Sequence, residues 1–172
     1  MKIVLLGYMA SGKSVVGEKL AQALKLDYID LDSFIETNEG MSISEIFSEK
    51  GEIYFRIREG EYLQILLNTV NNTVISIGGG TPCYGKNIEF IKEQSLSFYL
   101  KASVSTIFNR VKKEISKRPL IADFTDPELL KEYIAKHLFE RNNYYQKADF
   151  TVSVDKKTID EICLEIKERI PN

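Results

Sequence analysis

Ile3-Val4-Leu5-Leu6-Gly7-Tyr8-Met9-Ala10-Ser11-Gly12-Lys13-Ser14 is the stretch on which the reading of this chain turns. Its first four residues are apolar without alternation, the pattern of a strand buried on both faces. Beyond Ser14, Val16, Leu20, Ala23 and Leu24 recur at helical spacing. Strand, glycine loop and helix in that order are the setting of a phosphate-binding loop. Gly7 and Gly12 let the backbone turn so that several N–H groups point into one concavity, backed by a helix N-terminus that favours anions. Lys13 would add a point charge at the β- and γ-phosphates of a nucleoside triphosphate, and the Ser14 hydroxyl would ligate Mg²⁺. The alternative is an ordinary glycine-rich turn between a strand and a helix.

The rest of the composition agrees with one compact α/β domain. The chain has 172 residues, 44% of them hydrophobic, which is enough to bury a sizeable core. With 23 basic and 25 acidic side chains the net charge is −2, so nothing points to a general nucleic-acid or membrane surface. Cys83 and Cys163 lie far apart without metal-ligand spacing, and Cys163 falls on an apolar helical stripe, as a buried thiol would. The expected compartment is the reducing cytoplasm. The apolar run before Gly7 is too short for a signal-peptide core, and no run approaches the length of a membrane span.

Outward from the loop, Tyr28-Ile29-Asp30-Leu31-Asp32 reads as a second strand ending in two carboxylates. Ligands of parallel α/β sheets bind outside the carboxyl ends of strands, so Asp30 and Asp32 belong on the same edge as the loop. Asp32 would serve equally as the cap of a helix starting at Ser33. Ser42-Ile43-Ser44-Glu45 is a capping box opening a short helix, and Gly51 ends it. The next helix buries Phe55, Tyr62, Leu63, Leu66 and Leu67, and carries Arg56, Arg58 and Glu59 near its start. An Arg56–Glu59 pair on a solvated face would be the ordinary explanation of those charges.

Thr73–Ile77 is a third strand, followed by Gly78-Gly79-Gly80. A chain keeps three successive glycines where its backbone must approach something closely, or in a flexible turn. Leu96–Leu100 is the fourth strand, and a helix from about Ser103 turns Val104, Ile107, Phe108 and Val111 inward, with Arg110 near its end. Residues 112–120 hold four cations and one anion and read as a mobile positive loop or a solvated surface loop. Asp126 and Pro127 open a helix whose inward stripe is Leu130, Tyr133, Ile134, His137 and Leu138. Arg141 continues that stripe, and an inward arginine must be paired or face an anion. His137 reads as a packed helix residue rather than a catalyst. Phe150–Val154 is the last strand, with a C-terminal helix packed on the sheet through Ile159, Ile162, Cys163, Ile166 and Ile170. Five strands alternating with helices make a three-layer sandwich around a parallel sheet.

Taken together these pieces resemble the shikimate kinase family over almost the whole chain. The phosphate loop, Asp30-x-Asp32, Phe55-Arg56-x-x-Glu59, Gly78-Gly79-Gly80, Arg118-Pro119-Leu120, and Arg141-x-x-x-Tyr145 followed by Ala148-Asp149 occur in the family's order. The resemblance implies a P-loop fold like that of nucleoside monophosphate kinases. It implies a single kinase domain with an acceptor-binding region near 33–60 and a lid near 112–124, acting as a cytoplasmic monomer on small molecules. The implied reaction moves the γ-phosphoryl group of ATP, with Mg²⁺, to the 3-hydroxyl of shikimate, a step toward chorismate and the aromatic amino acids.

The family also implies residue roles. Ala10, Ser11, Gly12, Lys13, Ser14 and Val15 would hold ATP phosphates, Arg110 would stack on adenine, and Arg118 would close over the transferring group. Arg56 and Arg141 would clamp the acceptor carboxylate, the Gly78, Gly79 and Gly80 backbone would approach the ring, and Asp32 would take the acceptor hydroxyl. Lys13, Asp32 and Arg118 are the expected catalytic set, with Ser14 on Mg²⁺ and Asp30 reaching it through water. Ala10 replaces the family's glycine in the loop, where the general pattern does not require one. Asn143 replaces its proline and would loosen that helix end, while Arg58 has no assigned role. A gluconate kinase or another small-molecule kinase of the same fold, or a silent nucleotide-binding relative, would share much of this pattern. A guanine-reading Asn-Lys-x-Asp is missing.

Overall fold

The computed structural model describes residues 1–113 and 126–171. Five strands, β1 (Lys2–Leu6), β2 (Asp27–Asp30), β3 (Thr73–Ser76), β4 (Leu96–Lys101) and β5 (Phe150–Ser153), form one sheet in the order β2-β3-β1-β4-β5. Every pairing is parallel. Ile3 to Leu6 of the central strand are fully buried, which explains their unbroken apolar run.

Helices fill the connections: α1 (Lys13–Leu24), α2 (Leu31–Glu39), α3 (Ile43–Thr69), α4 (Asn87–Gln94), α5 (Val104–Val111), α6 (Pro127–Tyr145) and α7 (Ile159–Arg169). From β1 the chain passes over β3 to reach β2; from β3 it passes over β1 in the opposite direction to reach β4. Right-handed crossovers running in opposite directions lie on opposite faces of the sheet. The loops leaving β1 and β3 therefore diverge, and a crevice opens between their carboxyl ends.

Most local signals act as the sequence predicts. Ser42 and Glu45 complete a capping box, Gly51 breaks α3 with φ 83°, and Asp126 caps α6 with Pro127 in its first turn. Cys163 is buried on α7. Two expectations fail, and one helix is unforeseen. The second strand ends at Asp30, not Asp32, because the Asp30 carboxylate accepts from the backbone N–H groups of Asp32 (3.0 Å) and Ser33 (3.3 Å) and starts α2 two residues early. Asp30 is thus the cap, and the side chain of Asp32 is released from that task. Asn143 does not loosen α6, which runs unbroken to Tyr145 with Gln146 N–H still bonded to the Asn142 carbonyl at 2.9 Å. Helix α4 carries no strong sequence signal and is not expected from the pattern. Of the proposed lid, residues 114–124 lie outside the described residues, and Arg118 with them.

Arg58 has a structural role. Its guanidinium donates to Glu39 at the end of α2 (2.8 Å), to Glu61 and to the Tyr62 hydroxyl (2.7 Å), tying α2 to α3. Glu39 also accepts from Tyr54 (2.8 Å), Tyr62 (2.9 Å) and Lys50 (3.3 Å). These donors, Arg58 foremost and then Tyr54, hold the Glu39 carboxyl down to about 2. A depressed carboxylate stabilises the fold above its unfolded value and loses that contribution as pH falls toward the folded one. Glu39→Gln is therefore expected to melt about 2–4 °C lower at pH 7. Thermal melts at stepped pH should show that gap closing as pH falls from about 4.5 toward 2; a gap independent of pH would refute the account.

Candidate active site

The phosphate loop is built on strained backbone. Gly7 has φ 151° and Gly12 φ 99°, and a Cβ on Gly7 would lie 2.7 Å from the Leu100 carbonyl oxygen and 2.9 Å from Ser11 Oγ. Ala10 also sits in the left-handed region, at φ 59°. The sequence pattern does not require glycine there, yet the backbone does favour it, and Ala10 costs about 1–2 kcal/mol in that conformation. Lys13 folds back over the loop, its Nζ donating to the carbonyls of Gly7 (3.0 Å) and Tyr8 (3.1 Å). Ser11 Oγ is buried with no hydrogen-bond partner among the described residues. Arg110 reaches the loop from α5 and donates to the Ala10 carbonyl at 2.9 Å.

The acidic side of the crevice comes from β2. Ser14 Oγ donates to Asp30 Oδ2 at 3.1 Å, and the Tyr28 hydroxyl approaches the same oxygen at 3.4 Å. Asp32, freed from capping, points at the glycine triplet: a Cβ on Gly78 would meet Asp32 Oδ1 at 3.0 Å, Thr81 Oγ1 at 3.0 Å and Glu59 Oε1 at 3.1 Å. Burial, then the charges of Asp30 and Glu59, pushes the Asp32 carboxyl up to about 6, against the pull of Lys13.

Glu59 is 1% exposed, so the Arg56–Glu59 pair is not a solvated surface pair. Its carboxylate accepts from Arg56 Nη1 at 2.9 Å and from Thr81 Oγ1 at 2.6 Å. Arg56 also lies over the Tyr84 ring, 4.3 Å from its centroid. A Cβ on Gly80 would come within 2.7 Å of Arg56 Nη1, and one on Gly79 within 3.7 Å of Arg141 Nη1. The two arginines therefore border the same glycine pair from α3 and α6, and a Cβ on Gly80 would push the Arg56 guanidinium aside.

Helix α6 is fastened to this region by contacts that sequence reasoning missed. The Tyr8 hydroxyl and His137 Nδ1 are 3.0 Å apart, and the Tyr145 hydroxyl donates to the Gly79 carbonyl at 2.6 Å. His137 is packed, as expected, and does have a partner, Tyr8, 129 residues away in the chain. No local pattern signals such a contact.

Loop, acidic edge and the first two glycines of the triplet line one cleft of about 540 Å³ that holds Ala10 to Val15, Asp30, Asp32, Gly78 and Gly79. Arg110 of α5, Lys157 of the β5–α7 connection, and Ile159 and Ile162 of α7 also line it. The sequence reading assigns Ile159 and Ile162 only to packing and gives Lys157 no role.

The family model for shikimate kinase matches residues 9–171. The chain belongs to the shikimate kinase family. A shikimate kinase of Flavobacterium johnsoniae is 48% identical over 166 residues, 96% of each chain. The crystal structure of shikimate kinase from Bacteroides thetaiotaomicron superposes with a TM-score of 0.90 at 30% identity, covering 98% of this chain and 97% of that one. Shikimate kinase from Acinetobacter baumannii, solved in complex with shikimate, superposes with a TM-score of 0.85 at 30% identity over 97% of this chain and 90% of that one. The family's five-stranded parallel P-loop fold is thus the fold of this chain.

The tight seat of Gly7 gives a test of the loop. The Leu100 carbonyl belongs to a buried strand and cannot yield to a methyl group. Gly7→Ala is expected to melt about 4–8 °C lower, the shift that ~2 kcal/mol produces in a domain of this size. Isothermal titration should find its ATP binding lost; an unchanged ATP affinity would disprove the seat.

Proposed function

We propose that this enzyme transfers the γ-phosphoryl group of ATP to the 3-hydroxyl of shikimate, giving shikimate 3-phosphate and ADP. The observation that carries the reading is the meeting, at Gly78–Gly80, of a phosphate loop, a buried carboxylate and two arginines from separate helices. A small carboxylate with ring hydroxyls matches that combination of donors and acceptors.

On this reading Arg56 and Arg141 bind the carboxylate, and the triplet lets the ring lie against bare backbone. Asp32 accepts from the reacting hydroxyl and takes its proton as the new O–P bond forms and the bond to the β-phosphate oxygen breaks. Amides of Ala10 to Val15 hold the phosphates, with Lys13 at the β- and γ-positions. Arg110, already fixed to the loop, flanks the adenine together with Lys157 and Ile159. Arg118 is assigned to the transferring group on the family pattern alone. The transition state is loose, so positioning and charge should outweigh proton removal.

Ser14 and Asp30 fit Mg²⁺. They supply two hard oxygens 3.1 Å apart, and a nucleotide-bound Mg²⁺ needs few protein ligands because phosphates and water complete its shell. Asp30 Oδ1 is spent on capping and Oδ2 on Ser14, which suits a contact through water. When bound, the ion neutralises charge on the β- and γ-phosphates. The acceptor-binding region at 33–60, the lid at 112–124, the cytoplasmic location and the monomeric state are proposed on the family alone.

ADP release with Mg²⁺-ATP, offering shikimate, gluconate and nucleoside monophosphates separately, tests the substrate. Turnover with shikimate alone is expected; turnover only with another acceptor would overturn the roles of Arg56 and Arg141. Lys13→Ala should lower kcat by roughly 10²–10³, and undiminished turnover would reject its phosphate role. Arg141→Ala should raise the shikimate KM by about 10- to 100-fold, the cost of a lost charge-assisted hydrogen bond, with kcat less affected. Normal shikimate binding by calorimetry in that variant would count against the carboxylate clamp.

A further inference from the structure

Tyr8 belongs to the phosphate loop, yet its side chain faces away from the phosphate cleft and into α6. Its ring is 1% exposed and meets the His137 imidazole edge to face, with centroids 5.5 Å apart. The hydroxyl–Nδ1 distance is 3.0 Å. Burial raises the Tyr8 phenol, and burial, then the Arg141 charge, lowers the His137 imidazole, so one stays protonated and the other neutral. We assign the hydroxyl as donor, Nδ1 as acceptor and the ring proton to Nε2. His137 also packs against Tyr133, with centroids 5.2 Å apart.

The spacing along α6 gives this contact meaning. His137, Arg141 and Tyr145 follow at i, i+4 and i+8, so they stack on one helix face. His137 grips Tyr8, and Tyr145 grips the Gly79 carbonyl at 2.6 Å. Arg141 lies between these two fastenings, with its guanidinium carbon 6.0 Å from the Tyr8 ring centroid. Tyr8 works in two directions: its carbonyl accepts from Lys13 Nζ at 3.1 Å while its hydroxyl holds α6.

We propose that Tyr8 and His137 form a positioning couple that sets Arg141, so that affinity for the acceptor carboxylate depends on a side chain of the nucleotide loop. The inference rests on the reading of Arg141 as an acceptor ligand. A long arginine gains affinity when its helix turn is held before the ligand arrives, because less ordering is left to binding. Without the Tyr8–His137 bond, the face that carries Arg141 keeps its Tyr145 fastening and loses the one a turn before the arginine. The phosphate amides and Lys13 keep their own partners, so nucleotide binding should not share the loss.

Calorimetry with shikimate and steady-state ADP release, on the full chain, test this with Tyr8→Phe, His137→Ala, the double variant and His137→Asn. Tyr8→Phe keeps the buried ring and removes only the hydroxyl. Each of the first two should raise the shikimate Kd and KM by about three- to tenfold, the worth of one hydrogen bond, with the ATP KM within about twofold. The double variant should be no weaker than the weaker single one, since both remove the same link. An asparagine offers its amide oxygen near the place of Nδ1, so His137→Asn should recover most of the affinity. A shikimate Kd unchanged in both single variants, additive losses, or an ATP KM rising in step would overturn the proposal. If Arg141→Ala itself left shikimate binding intact, the acceptor reading would fall first, which separates the two failures.

Discussion

The site depends on the parallel ladder between β1 and β3, which does not end with the strands. Lys2 to Leu5 pair with Thr73 to Ser76, and beyond them Ile77 N–H still donates to the Leu5 carbonyl at 3.2 Å. Ser76, whose hydroxyl donates to the Lys13 carbonyl at 3.0 Å, faces Asp30 in the next register pair. Three strand ends are thereby levelled, and whatever follows each is delivered to one edge: phosphate loop, glycine triplet and acidic cap. A slip of register would turn side chains to the other face and separate the loops by one residue rise, about 3.3 Å. The crevice predicted by the opposed crossovers then needs no further device to exist.

How much of this could be read in advance follows from the range of each interaction. The phosphate loop, the capping box at Ser42, the break at Gly51 and the Asp126-Pro127 start are settled by neighbours within a turn, and their sequence signals are correspondingly sharp. Asp30 and Asp32 show where local evidence divides: both fit a cap by residue type, and only the geometry gives the cap to Asp30. Helix α4 lacks a side-chain cap, so its start is unmarked. The links from Tyr8 to His137 and from Tyr145 to Gly79 span 129 and 66 residues, and no periodicity encodes them. The inward position of Arg141 was legible, whereas the contacts that hold its helix were not.

The charges of the crevice are balanced rather than individually comfortable. Asp32 is surrounded by Asp30, Glu59 and Glu36, with Lys13 the one attractive charge among its main influences. Ala10 adds backbone strain in the loop. Conflicts of this kind are tolerated where the surrounding fold is overdetermined, and here the buried strands and the α1–α7 layer supply that rigidity. Arg58 shows the contrast. Its nitrogens each donate to a partner within the helical pair, Nε to Glu39, Nη1 to Glu61 and Nη2 to Tyr62.

Arg56 is arranged differently, and its two carboxylate partners are not equivalent. Glu59 is buried, shares its other oxygen with Thr81 and cannot be removed without stranding a charge inside the protein. Glu52 is 54% exposed on its side chain and holds the remaining guanidinium donors only loosely, at 3.4 Å and 3.5 Å. On the proposed reading, an acceptor carboxylate that displaced Glu52 would exchange one anion for another, and the exposed side chain would also give up its 3.0 Å bond from the Tyr84 hydroxyl. The inner pair would keep the guanidinium plane fixed throughout, with the Tyr84 ring beneath it. On that reading buried Glu59 would contribute orientation and exposed Glu52 a replaceable counter-charge, while bare Gly80 leaves room for the Arg56 guanidinium itself.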